Sequence, residues 1–318
     1  MDKKIYEKII PIKILKLLYK NFPLIIFRIG GGLGDQLGIT SIINAHKKGK
    51  KFIVISNTPE FFLNNSKVLW NIDIKKIKPF RKKIIFLFLR IFQGKSIINF
   101  CHKTINLRIQ KNKAFNQGYI EDSKNYKHFE INSFHIREDL DVKKIEPKIY
   151  ISDEEIKNFE KKFSFLVKSF SIINTESKNT FTSTKSFPAE KFQAIVNKYK
   201  EINWIEIGSI KKLSDVTYLG VSLSIRELAI LISKSMFVIT TEGFINHLAA
   251  STNTTSIVIQ SGFSPDTISL YEKTIIIKSM DEIKCSPCWL KNCNKRIKKC
   301  TETISPEQIY KVIAQLKN

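Results

Sequence analysis

The sequence predicts an α/β protein in two halves, each a parallel sheet with crossover helices. Three observations predict it. Apolar runs of strand length alternate with helix-period segments, the alternation restarts beyond residue 150, and in each half one strand runs through a glycine turn into a helix.

In the first half the runs over residues 24–29, 52–56 and 96–100 are Ile- and Phe-rich and too short for helices, so they read as buried strands, with a helix over 36–48. In the second half strands are expected at 171–174, 203–207, 236–240, 255–259 and 274–277. Helices fit between them at 188–200, 224–233 and 243–251. A last helix opens at Ser305-Pro306-Glu307, an N-cap followed by proline at the first helical position. Residues 139–153 carry Pro147 and mixed charges without periodicity, which puts the crossing there and divides the chain into domains 1–150 and 151–318, each Rossmann-like.

At 318 residues, 43% hydrophobic and 11% aromatic, the chain fills real cores, which excludes a disordered protein. Lys and Arg number 53 against 29 Asp and Glu, a net charge of +24. The lysines run from end to end, so the surface tolerates polyanions without one dedicated basic arm, and a plain Ile/Lys bias accounts for the charge equally well. Four of five cysteines fall within residues 285–300, unlike a secreted disulfide scaffold, so a reducing, cytoplasmic compartment is expected. The N-terminus is interrupted by lysine too often for a signal peptide or a spanning helix. Two basic amphipathic stretches, Ile14, Leu17, Leu18 and Phe22 among lysines 13, 16 and 20, and residues 78–92, fit two descriptions: helices packed on a core, or peripheral contact with an anionic leaflet.

Four motifs carry chemistry. GGGLGDQLG over residues 30–38 follows a strand and opens a helix; its glycines let a ligand approach the backbone, and the helix start offers free N–H groups. The spacing is not that of a dinucleotide loop. Asp35, where loop becomes helix, either caps the helix or accepts the proton of an attacking hydroxyl. TTEGFINHLAA over 240–250 is a second strand-glycine-helix junction, with Thr241, Glu242 and Gly243 at the turn and His247 one turn inside, a cation-capable donor beside an anion site. The polar loop 174–188 ends in Lys185, which can close over a diphosphate as a point charge. Cys285, Cys288, Cys293 and Cys300 are four thiols within sixteen residues, enough to enclose one tetrahedral zinc or iron ion; the alternatives are reduced or redox-paired thiols.

In this order the motifs resemble glycosyltransferase family 9, the lipopolysaccharide heptosyltransferases. The match rests on GGGLGDQL, on KSFPAEKF from Lys185, on residues 223–231 ahead of TTEGFINHLAA, and on Cys285-Ser-Pro-Cys288 with the terminal helix, over most of residues 23–317. The resemblance implies a GT-B fold of two Rossmann-like domains facing each other across a cleft, the acceptor in the first and a nucleotide-sugar, typically ADP-heptose, in the second. It implies an inverting transfer without a catalytic metal, Asp35 as general base, and Lys185, Gly243 and His247 around the donor diphosphate and sugar, with Thr175 matching a phosphate-contacting threonine. The acceptor would be a lipopolysaccharide or lipooligosaccharide core or another surface glycan. Glu242 stands where the family often has Asp, which bears on the sugar. The four cysteines resemble the metal-bound finger of the autotransporter heptosyltransferases, which modify protein. A basic zinc-containing nucleic-acid-binding protein is the competing class, but the aromatic residues fall in apolar runs instead of interleaving with the basic ones. A non-catalytic relative that binds a nucleotide-sugar is a third, disfavoured by Asp35, Lys185 and His247 standing together.

Overall fold

The computed structural model describes residues 24–28, 32–47, 50–83, 97–99, 124, 141, 146–166, 169–176, 182–295, 297 and 299–317. Gly30, Gly31, Cys101, the stretch around residues 14–22 and residues 84–92 lie outside them.

The first sheet contains β1 (Leu24–Arg28), β2 (Phe52–Ser56), β3 (Val68–Asp73) and β4 (Ile97–Asn99), all parallel, in the order β3-β2-β1-β4. The second contains β5 (Ser171–Asn174), β6 (Trp204–Ile207), β7 (Thr217–Tyr218), β8 (Val238–Thr241), β9 (Ser256–Ile259) and β10 (Thr274–Ile277), also parallel, in the order β10-β9-β8-β5-β6-β7. β5, β6, β8 and β9 are buried at every residue, as expected of strands covered by helices on both faces. That double burial is why they read as unbroken apolar runs.

The helices are α1 (Leu33–Ala45), α2 (Asp153–Lys162), α3 (Ala189–Lys198), α4 (Ile225–Lys234), α5 (Phe244–Ser251), the short α6 (Lys299–Glu302) and α7 (Pro306–Lys317). α2 and α4 open on capping boxes, Ser152 with Glu155 and Ser224 with Glu227, in which each serine hydroxyl accepts the glutamate's N–H. α1 starts three residues earlier than the periodicity predicts. Its first turn is stabilised by Asp35, whose carboxylate accepts the Gly32 N–H at 2.7 Å.

β3, β7 and α2 are not anticipated by the sequence reading. β3 is an edge strand that leaves Leu69 and Trp70 exposed, so it lacks the apolar run of a central strand. α2 is mostly charged, with Ile156, Asn158 and Phe159 the exceptions, and buries only Phe159.

In each sheet the strand order reverses, at β1 in the first and between β5 and β8 in the second. Such switch points open a crevice at the carboxyl ends of the strands. One apolar cluster joins Leu37, Ile42 and Ile43 of α1 to Leu248 and Ala249 of α5, and the Phe61 ring meets Phe244 with centroids 6.0 Å apart. The two crevices are therefore apposed. Residues 146–152 run between these helices: the Lys148 N–H donates to Thr40 Oγ1, and the Ile149 N–H to the Ser251 carbonyl. Arg226 of α4, buried, ties the halves further. It donates to both carboxylate oxygens of Glu155, to the Tyr150 carbonyl at 2.6 Å and to the Glu60 carbonyl at 2.8 Å.

Candidate functional site

At the switch point of the second sheet, Asn174 Nδ2 bridges β5 to β8 by donating to Thr240 Oγ1 at 3.0 Å. β8 ends at Thr241, and Glu242 and Gly243 make the turn into α5. Gly243 has φ 153° and ψ −156°, a conformation glycine adopts without strain, and a Cβ there would meet nothing within 4 Å. The start of α5 thus opens on free space with its first N–H groups directed outward.

Glu242 is only 3% exposed. Its carboxylate accepts the hydroxyls of Ser261 and Ser264 and Nε2 of Gln260, all from the loop after β9. Lys185 Nζ stands 3.7 Å from Glu242 Oε2 and 4.4 Å from the centre of the Phe263 ring. A lysine held by a carboxylate on one side and an aromatic face on the other has its charge placed before any anion arrives. The longer arm of Glu242 is therefore directed into its own half, toward the serines and Lys185.

Across the crevice, Gly34 of α1 lies against His247 of α5. A Cβ on Gly34 would sit 2.7 Å from Cδ2 and 3.4 Å from Nε2 of the imidazole. The opposite edge of the ring, Nδ1, is 2.6 Å from the Tyr271 hydroxyl, and both residues are buried. Burial, with the Glu146 carboxylate adding to it, holds the Tyr271 phenol well above its usual pKa, so it stays protonated. The ring is gripped between the two. The turn bearing Asp35 and the helix bearing His247 thereby meet, although 212 residues separate those two positions in the chain.

Thr175, expected beside phosphate, gives its hydroxyl proton to Glu206 Oε1 at 3.0 Å, and its carbonyl accepts Lys212 Nζ at 3.3 Å. Glu206, fully buried on β6, also accepts the N–H groups of Lys212 and Leu213. Thr175 thus organises the loop after β6.

The four cysteines expected to form a metal site are free and share one region, but among the described residues no group of three or more His, Cys, Asp or Glu side chains is placed to hold a metal ion. Each of three sulfurs is engaged locally. Cys288 accepts the Leu290 N–H, Cys293 the Lys295 N–H at 3.5 Å, and Cys300 the Gly262 N–H. Burial pushes the Cys288 thiol up to about 11 and raises that of Cys300, so these two are neutral thiols. One ion would require the loop to draw its sulfurs together.

Gln260, Ser261, Phe263, Ser264 and Tyr271 escaped the sequence reading. The one signal for the first four is a Gln-Ser-Gly-Phe-Ser run directly after a fully buried strand, where a parallel sheet presents its crevice; Tyr271 carries none. No helix among the described residues is long and apolar enough to cross a membrane.

The sequence profile of glycosyltransferase family 9 (heptosyltransferase) matches residues 128–298. Comparison with curated proteins finds no match. Among solved structures, a family 9 glycosyltransferase from Veillonella parvula DSM 2008 superimposes with a TM-score of 0.66 at 14% identity, over 92% of this chain and 96% of that one. The ADP-heptose lipopolysaccharide heptosyltransferase II of E. coli gives 0.65 at 12% identity, over 92% and 98%. The iron-containing dodecameric glycosyltransferase TibC of enterotoxigenic E. coli H10407 gives 0.62 at 13%, over 93% of this chain and 77% of that one. The two-sheet α/β arrangement is thus the GT-B fold of the heptosyltransferases.

Proposed function

The chain belongs to glycosyltransferase family 9, the heptosyltransferases, and from that premise we propose that it is an inverting sugar transferase using ADP-heptose or a closely related nucleotide-sugar, with a hydroxyl of a surface-glycan core as acceptor. The observation that carries this reading is the meeting of the two glycine turns, Gly34 against His247, which sets Asp35 of one half beside the anion-receptive start of α5 in the other.

In the proposed reaction, Asp35 accepts the proton of the acceptor hydroxyl as its oxygen attacks the anomeric carbon. The bond from the anomeric carbon to the donor diphosphate breaks on the opposite face, so one displacement inverts the centre. The departing diphosphate takes the electron pair, and its charge is met by Lys185 and the N–H groups at Gly243 and the first turn of α5, while the Glu242 N–H is held by the Ile259 carbonyl. His247 donates to the donor from within that helix. Heptosyltransferase structures solved with ADP-D-β-D-heptose and with ADP-2-deoxy-2-fluoro heptose support the donor class.

Three further parts belong to the same proposal. The division at residue 150 assigns the acceptor to the first sheet and the donor to the second. Peripheral contact with an anionic inner leaflet, from a cytoplasmic position, is supported by exposed Trp70 and Phe80 near Lys75, Lys76, Lys78, Arg81 and Lys83. A structural metal at Cys285, Cys288, Cys293 and Cys300 is supported by the chemistry of four soft ligands with backbone N–H groups on three sulfurs. The same loop favours, as a second reading, a protein acceptor of the kind used by finger-bearing relatives.

The test is turnover of ADP-heptose against core-oligosaccharide and protein acceptors, with Asp35→Asn. Donor binding should persist while turnover falls roughly 100-fold or more. Unchanged turnover removes Asp35 from the role of base. Metal analysis of protein purified without added zinc should give about one ion per chain if the cysteines bind one; a folded, metal-free protein refutes that site.

A further inference from the structure

The cysteine loop touches both walls of the Lys185 seat. On one side the Trp289 N–H donates to the Phe263 carbonyl at 3.0 Å, the Cys288 N–H donates to the Gly262 carbonyl at 2.9 Å, and the Trp289 ring meets the Phe263 ring edge-on with centroids 5.3 Å apart. On the other side the Ser183 N–H donates to the Lys291 carbonyl at 3.0 Å and the Thr182 hydroxyl to the Leu290 carbonyl at 2.9 Å. Lys185 follows directly from the 182–184 turn, and its ammonium lies over the same Phe263 ring.

Three features of Trp289 exceed what a surface loop needs. It is among the largest fully enclosed side chains, 2% exposed. Its φ is 56°, a left-handed conformation that a bulky residue holds only where its surroundings dictate it. Its neighbour Gly262 is closely packed: a Cβ there would come within 3.1 Å of Cys300 Cβ and 3.3 Å of Ser286 Cβ, tighter than ordinary contact. The loop after β9 and the cysteine loop are therefore in van der Waals contact at backbone level, behind the ring that carries Lys185.

We propose that residues 286–292 form a strut for the anion seat, with Trp289 as a positioning residue that fixes Phe263 and the 182–185 turn and so sets where the Lys185 ammonium stands. This assigns the cysteine loop a place in diphosphate binding without a direct contact with ligand. The inference rests on the reading that Lys185 receives the donor diphosphate.

The experiment is calorimetric titration with ADP, at fixed ionic strength, of the full chain and of variants at both positions. Lys185→Ala should weaken ADP binding. Trp289→Leu should weaken it roughly 3- to 10-fold, and Trp289→Phe, which keeps an aromatic edge on Phe263, should restore most of that loss. With Lys185 already replaced by Ala, Trp289→Leu should change affinity by less than about 2-fold, because its effect travels through the ammonium. Equal losses in both backgrounds, or no loss in either, overturn the strut. If Lys185→Ala leaves ADP affinity unchanged, or the unaltered chain does not bind ADP, the donor reading itself fails. Should Trp289→Leu not fold, Thr182→Val, which removes the bond to the Leu290 carbonyl together with those the same hydroxyl makes to the Thr184 hydroxyl and N–H within the turn, is titrated in the same two backgrounds and judged the same way.

Discussion

Replacing Gly34 by alanine sets two effects of opposite sign against each other. Gly34 lies in the first turn of α1 without a left-handed backbone, so on helix propensity alone alanine should stabilise by up to about 1 kcal/mol. The new methyl would sit 2.7 Å from His247 Cδ2, and ordinary contact at 3.4 Å requires about 0.7 Å of movement. The imidazole cannot back away in line, because its opposite edge is already 2.6 Å from the Tyr271 hydroxyl, at the short end for such a bond. It must swing aside and break a bond between two buried groups, which costs about 1–3 kcal/mol. Gly34→Ala should therefore destabilise by about 1–2 kcal/mol, a drop of roughly 2–8 °C in Tm. In a His247→Ala background the ring is gone and the same substitution should stabilise by up to about 1 kcal/mol. Thermal and urea denaturation of the four proteins measures both signs. A Gly34→Ala protein as stable as its parent would show that the two helices do not meet at this ring.

Tyr271→Phe keeps the ring and removes the bond to His247; it should cost about 1 kcal/mol in urea unfolding and lower kcat with the proposed donor. Gly243→Ala meets no steric obstacle but forces φ 153° on an L-residue, so it should destabilise by about 1–3 kcal/mol by backbone strain alone, and a neutral result would contradict that turn. Glu242→Gln removes the charge facing Lys185 and one acceptor facing two serines, and should weaken ADP binding about 10-fold, read by calorimetry. Hydrogen bonds from Arg226 hold the Glu155 carboxyl at about 2, below the usual carboxylate range. The resulting stability is present above about pH 4.5 and is lost as pH falls toward about 2. Because Glu155 is partly exposed, the contribution is discounted to about 1–2 kcal/mol. The stability difference between the unaltered chain and Glu155→Gln should shrink by that amount between pH 6 and pH 2.

Ser256–Ile259 could be read from sequence because it is buried on both faces, and Thr274–Ile277, a partly buried edge strand, because all four of its residues are β-branched; their ends fell within a residue of the reading. The edge strand Val68–Asp73 was not legible because its short apolar run gives way to Asn71 and Asp73 instead of continuing as in a doubly covered strand, and the helix Asp153–Lys162 because only Ile156 and Phe159 among its residues are apolar. At the site, the glycine turns were visible because they break the apolar rhythm at a strand end. The seat of Lys185 was not, since serine and glutamine after a strand are ordinary loop residues until the fold surrounds them.

The sequence by itself determined the local elements: strands from short apolar runs, helices from period and caps, and the strand-to-helix junctions marked by Gly34 and Gly243. Only the tertiary structure decided that Gly34 meets His247, that Glu242 is directed toward Ser261, Ser264 and Lys185, and that Trp289 stands behind Phe263. Periodicity is a property of neighbours along the chain, whereas these contacts depend on strand order, and the order β10-β9-β8-β5-β6-β7 is chosen by how buried faces pack across long separations.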